Sequence, residues 1–90
     1  MDKVWLKHYP PGVPAEIDTH QYSSLVALLD EAFLTYASRP AMACMGTTLS
    51  FSQLDRYSRD MAAWLQAQGL ERGARVALMM PNILQYPVCI

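Results

Sequence analysis

Cysteine, glycine and histidine are scarce in this chain, and each scarcity closes off a class of chemistry. The two cysteines, Cys44 and Cys89, stand far apart and belong to no C-x-x-C pair. Two such residues cannot make a metal site by themselves, and a secreted disulfide scaffold carries more. Both read as small buried hydrophobes in a reducing compartment. The four glycines are dispersed, each at an expected turn or cap, so no glycine-rich loop exists to cradle a phosphate. His8 and His20 lie in a proline-rich leader with no cysteine or carboxylate at metal-ligand spacing, and satisfied surface histidines explain them. No run of like charge occurs, and seven basic against eight acidic residues leave a formal net charge of −1. Nucleic-acid binding needs a clustered positive surface, which this balance does not favour. An electrostatic membrane anchor is equally unsupported. No segment approaches the ~20 apolar residues of a membrane-spanning helix. The stretch Met1-Asp2-Lys3-Val4-Trp5-Leu6-Lys7-His8 has no apolar core long enough for a signal peptide. The location these features imply is the cytoplasm.

What the chain does have is apolar surface to bury. Hydrophobic residues make up 52% and charged residues 17%, which argues for a folded chain of one domain at most. Residues 1–22 read as an irregular arm, because Pro10, Pro11 and Pro14 around Gly12 exclude a helix. Trp5, Tyr9 and Ile17 fit an interface or dimer arm and an ordinary extended leader equally well.

Residues 23–90 read as an α/β subdomain. Ser23 or Ser24 supplies an N-cap. Leu25, Leu28, Leu29, Ala32, Phe33 and Tyr36 then recur at helical spacing, with Arg39 expected in the closing turn and Pro40 as the stop. Two short apolar runs around Gly46 predict a hairpin. Ser50 with Gln53 matches a capping box for a second helix, with Ser52 and Asp55 as a competing register. Leu54, Tyr57, Met61, Ala62 and Leu65 form its apolar stripe. Gly69 sits at the left-handed C′ position, with Leu70 placed to touch Leu65.

The string Arg75-Val76-Ala77-Leu78-Met79-Met80 predicts a strand over residues 74–80 that is buried on both faces. Asn82 is the expected N-cap of a further helix, with Pro87 in its first turns. A doubly buried strand belongs in a parallel sheet covered by helices, and too few other strands are present to build one. The order helix, hairpin, helix, buried strand, helix start therefore implies the N-terminal end of a larger α/β protein, incomplete at its C-terminal side.

Reactive constellations are thin. Ser23, Ser24, Ser50 and Ser52 cluster at helix starts, where capping accounts for them, and none lies in a G-x-S-x-G context. No pair of carboxylates is spaced and shielded for general acid–base work.

The residues nevertheless resemble a family. Leu49-Ser50-Phe51-Ser52-Gln53-Leu54 is similar to the first core motif of adenylate-forming enzymes, L-[ST]-Y-x-E-L, with Phe51 for tyrosine and Gln53 for glutamate. Gly69-Leu70 and Gly73-Ala74-Arg75-Val76-Ala77-Leu78-Met79-Met80-Pro81-Asn82 resemble that family's G-L-x-x-G-D-R-V-A-L-x-x-P-N stretch, with Ala74 for aspartate. Val4-Trp5-Leu6, Tyr9-Pro10, Val13-Pro14, Glu16-Ile17 and Leu84-Gln85-Tyr86-Pro87-Val88 resemble the bacterial long-chain acyl-CoA synthetase branch.

The resemblance implies the N-terminal part of the large domain of a long-chain fatty-acid–CoA ligase. Such an enzyme joins ATP and a fatty acid into an acyl-adenylate and then transfers the acyl group to coenzyme A. ATP, magnesium and coenzyme A are implied for the parent and none for this segment. The family's phosphate loops and C-terminal lysine come after Ile90 in order, so no catalytic, cofactor-binding or metal residue is carried over. The implied partners are the remainder of the parent enzyme, its fatty acid and a second copy of the chain. Peripheral attachment at the inner face of the membrane is compatible with an amphiphilic substrate. Two alternatives stand beside this reading: a ligase for another carboxylic acid, and a self-standing oligomerising module without catalysis.

Overall fold

The head of the longest helix organises the molecule. A computed structural model describes all residues 1–90. After a short 3-10 helix at Val4–His8, the elements run α1 (Leu25–Thr35), β1 (Pro40–Cys44), β2 (Thr47–Ser50), α2 (Phe51–Ala67) and α3 (Gln85–Cys89). The chain is thus a small α/β unit carrying one two-stranded antiparallel sheet. No helix is long and apolar enough to cross a membrane.

Each element start follows from local chemistry. Ser24 Oγ accepts from the Ala27 N–H at 3.0 Å, which resolves the choice of cap for α1 in favour of Ser24. The hairpin pairs Met42 with Leu49, Ala43 with Thr48 and Cys44 with Thr47, and a bulge falls between Pro40 and Met42. Its two-residue turn places Met45 at φ +50° and Gly46 at φ +81°. Positive φ at both central residues is the turn whose twist matches that of the strands. Gly69 closes α2 at φ +85°, and its N–H donates to the Gln66 carbonyl at 3.0 Å. That is the inner bond of the expected Schellman arrangement; the outer one, from Leu70 to Leu65, is not made.

Four expectations need correction. α1 ends at Thr35, short of Pro40. Past Tyr36 the chain turns, with the Arg39 N–H donating to the Tyr36 carbonyl at 2.8 Å, because the carbonyls of Ala37 and Arg39 are drawn to the head of α2. Arg39 therefore lies outside the helix and sets its guanidinium 5.3 Å from the Tyr36 ring centre. Pro40 opens β1.

Residues 74–80 form no strand. No backbone hydrogen bond is made by residues 75–80, and Met79 is 96% exposed. An apolar extended segment becomes a strand only when a neighbouring strand meets its amides, and the hairpin does not reach it.

Asn82 does not cap α3. The Ile83 N–H donates to the Pro81 carbonyl at 2.8 Å in a tight turn, and the helix starts after Leu84 with no side-chain cap. Pro87 does fall in the first turn, where a missing amide costs little.

Finally, the expected apolar stripes are only partly covered. Phe33, Leu49 and Leu54 are buried, and Leu29, Ala41, Phe51, Leu84 and Val88 pack around them. Leu25, Leu28, Tyr36 and Tyr57 stay exposed, as do both cysteines in part. The accessible surface is 7955 Å2, where a compact chain of this size exposes about 5,300 Å2. The radius of gyration is 17.4 Å against about 12 Å for a compact domain. The fold leaves most of its apolar surface without a cover.

Candidate functional site

The hexapeptide Leu49-Ser50-Phe51-Ser52-Gln53-Leu54 is the most densely bonded part of the chain. It carries the polypeptide from the end of β2 into α2, and its two leucines are two of the three buried residues. A helix start leaves four N–H groups without intrahelical partners, and here all four are met. The Ser50 N–H donates to Gln53 Oε1 at 2.9 Å, and the Gln53 N–H donates to Ser50 Oγ at 3.2 Å. The Phe51 N–H donates to the Arg39 carbonyl at 3.0 Å, and the Ser52 N–H to the Ala37 carbonyl at 2.9 Å. The Phe51 ring sits 5.8 Å from that of Tyr36, tilted by 44°. This arrangement is a joint between α1, the hairpin and α2. With every amide engaged, the head of α2 offers no free donors to an anion.

The competing capping register is decided by Arg59. Asp55 turns its Oδ1 to Arg59 Nε at 2.7 Å, so it does not serve Ser52. Ser52 Oγ lies 3.1 Å from Ser50 Oγ. The same guanidinium reaches Asp30 Oδ1 at 3.6 Å and so links α1 to α2. Both pairs are solvent-exposed, and such bridges contribute at most about 1 kcal/mol each.

Two shallow hollows are present. One, of about 290 Å3, lies between β1 and α3 and is lined by Met42, Cys44, Ile83, Leu84, Tyr86 and Pro87 among others. Cys44 Sγ stands 4.0 Å from the Asn82 carbonyl there. The other, of about 300 Å3, runs between α1 and α2 beside Val88 and Ile90, with Asp30, Asp55 and Arg59 on its border. Both walls are mainly apolar. A ligand site needs a few convergent polar groups inside an apolar pocket; in the second hollow Arg59 is already paired with Asp30 and Asp55, and Ser58 Oγ donates to the Asp55 carbonyl.

The remaining sequence candidates fall apart in space. His8 and His20 are exposed in the leader, where the His20 backbone N–H donates to Asp18 Oδ1 at 2.9 Å. No three His, Cys, Asp or Glu residues come close enough to hold a metal ion. Ser24 and Ser50 act as caps. Reading the sequence missed the carbonyls of Ala37 and Arg39, because backbone acceptors leave no trace in residue type. The Tyr36–Phe51 contact had a weak signal in two aromatics flanking the hairpin.

The long-chain-fatty-acid–CoA ligase of Yersinia pestis is 54% identical over the whole of this chain, which spans 16% of that enzyme. The long-chain-fatty-acid–CoA ligase of Bacillus subtilis is 32% identical over 92% of this chain and 15% of its own length. The 4-coumarate–CoA ligase 5 of Oryza sativa is 38% identical over 68% of this chain and 12% of its own length. No solved structure matches. The family model for AMP-binding enzymes matches residues 29–90, the part that contains α1's second half, the hairpin, the capped joint and α3. By that match, and by the relatives that share the whole chain, this protein belongs to the AMP-binding enzyme family.

Proposed function

We propose that this chain is the N-terminal structural part of a long-chain fatty-acid–CoA ligase. The parent activates a fatty acid with ATP to an acyl-adenylate and passes the acyl group to coenzyme A. One observation carries the reading: similarity to long-chain ligases runs through residues 1–28, the leader arm and the start of α1, which lie outside the general family match. Residues 1–22 are then the arm and residues 23–90 the front of the large domain. The bare backbone of residues 75–80 would join that domain's sheet.

The residues present do not fit ATP, magnesium or coenzyme A. The head of α2 has no unused amide, and the charged groups bordering the hollow between α1 and α2 are paired with one another. Those groups therefore belong to the rest of the parent, and this piece is silent alone. Its partners are that remainder and, through it, the fatty acid. The work is placed in the cytoplasm or at the inner face of the membrane, where an amphiphilic acid partitions.

The experiment is to read the gene through and beyond the codons for these residues and to express the whole product. A long frame yielding a protein that forms AMP and acyl-CoA from oleate, ATP and coenzyme A supports the proposal. A product that activates 4-coumarate but not oleate moves the assignment to another carboxylic acid, the reading favoured by the match to the Oryza sativa enzyme. A frame closed at Ile90 leaves an interaction module, the reading favoured by the uncovered apolar surface.

A further inference from the structure

No further inference is drawn: the strongest candidate, the exposed apolar segment at residues 75–80 with its unpaired backbone, carries nothing because nothing in the structure shows what covers it beyond the parent domain already proposed.

Discussion

Ser50 and Gln53 cap each other: the side chain of each accepts the backbone N–H of the other, at 3.2 and 2.9 Å. The pair satisfies two of the four free donors at the head of α2. Ser50→Ala should leave the Gln53 N–H without its acceptor, at a cost of about 1 kcal/mol. Gln53→Glu keeps an acceptor in place and adds a negative charge at the positive end of the helix dipole. Urea titration followed by circular dichroism should therefore show a lowered midpoint for Ser50→Ala and an unchanged or raised one for Gln53→Glu. Equal losses from both would mean that the box does not hold the helix.

Leu54, at 4% exposure, is the most buried side chain of the molecule. Leu54→Ala should cost about 2–5 kcal/mol. A fold with three buried residues has little reserve against that, so the dispersed methyl signals of its NMR spectrum should collapse. Leu34, 85% exposed on the same unit, should tolerate alanine within about 0.5 kcal/mol. Comparable spectra for the two variants would show that the three-residue core is not what orders the chain.

Met45 occupies a left-handed position in the hairpin turn, ahead of Gly46. Asparagine suits that position better than methionine, so Met45→Asn should stabilise the hairpin by roughly 0.5 kcal/mol. Gly46→Val should cost about 1–2 kcal/mol, since a β-branched side chain resists positive φ. Amide exchange at Met42 and Leu49 reads both effects, slower in the first variant and faster in the second.

Residues 75–80 should exchange their amide protons freely in the 90-residue chain. Placed in the corresponding segment of the Yersinia pestis ligase, the same amides should slow by at least about 100-fold, as strand pairing closes them off. Protection already present in the isolated chain would show that a partner strand is not required.

The isolated chain should also associate. Its surface exceeds that of a compact chain by about 2,700 Å2, more than a standard interface buries in total, roughly 1,600 Å2. Sedimentation at rising concentration should show growing mass, reduced by Met79→Lys. A compact monomer at high concentration would contradict this.

Elements governed by neighbours in sequence were legible from residue type. The capping box at Ser50, the Gly46 turn and the Gly69 stop each depend on contacts within a few residues, and each stands where spacing puts it. Elements governed by distant groups were not. The end of α1 is set by amides of α2, and the strand at residues 74–80 needs neighbours that these ninety residues lack. Asn82 is a residue type that caps helices, yet the turn at Pro81 displaces the cap position by two residues to Leu84. As for chemistry, Ser24 and Ser50 serve as caps, which spacing could show, while the contact of Ser52 Oγ with Ser50 Oγ could not be read from residue type.

The carbonyls of Ala37 and Arg39 bond amides that belong to α2, with the whole hairpin lying between them in the chain. The first turn of α2 therefore cannot melt without also releasing the turn at Ala37–Arg39 that follows α1, and the intervening strands lose their anchorage at Pro40 and Ser50 together. Unfolding of this segment should therefore be concerted, a lesion in one of the three elements loosening the other two. A substitution in the hairpin should consequently raise the exchange rate of amides in α2 that it never touches.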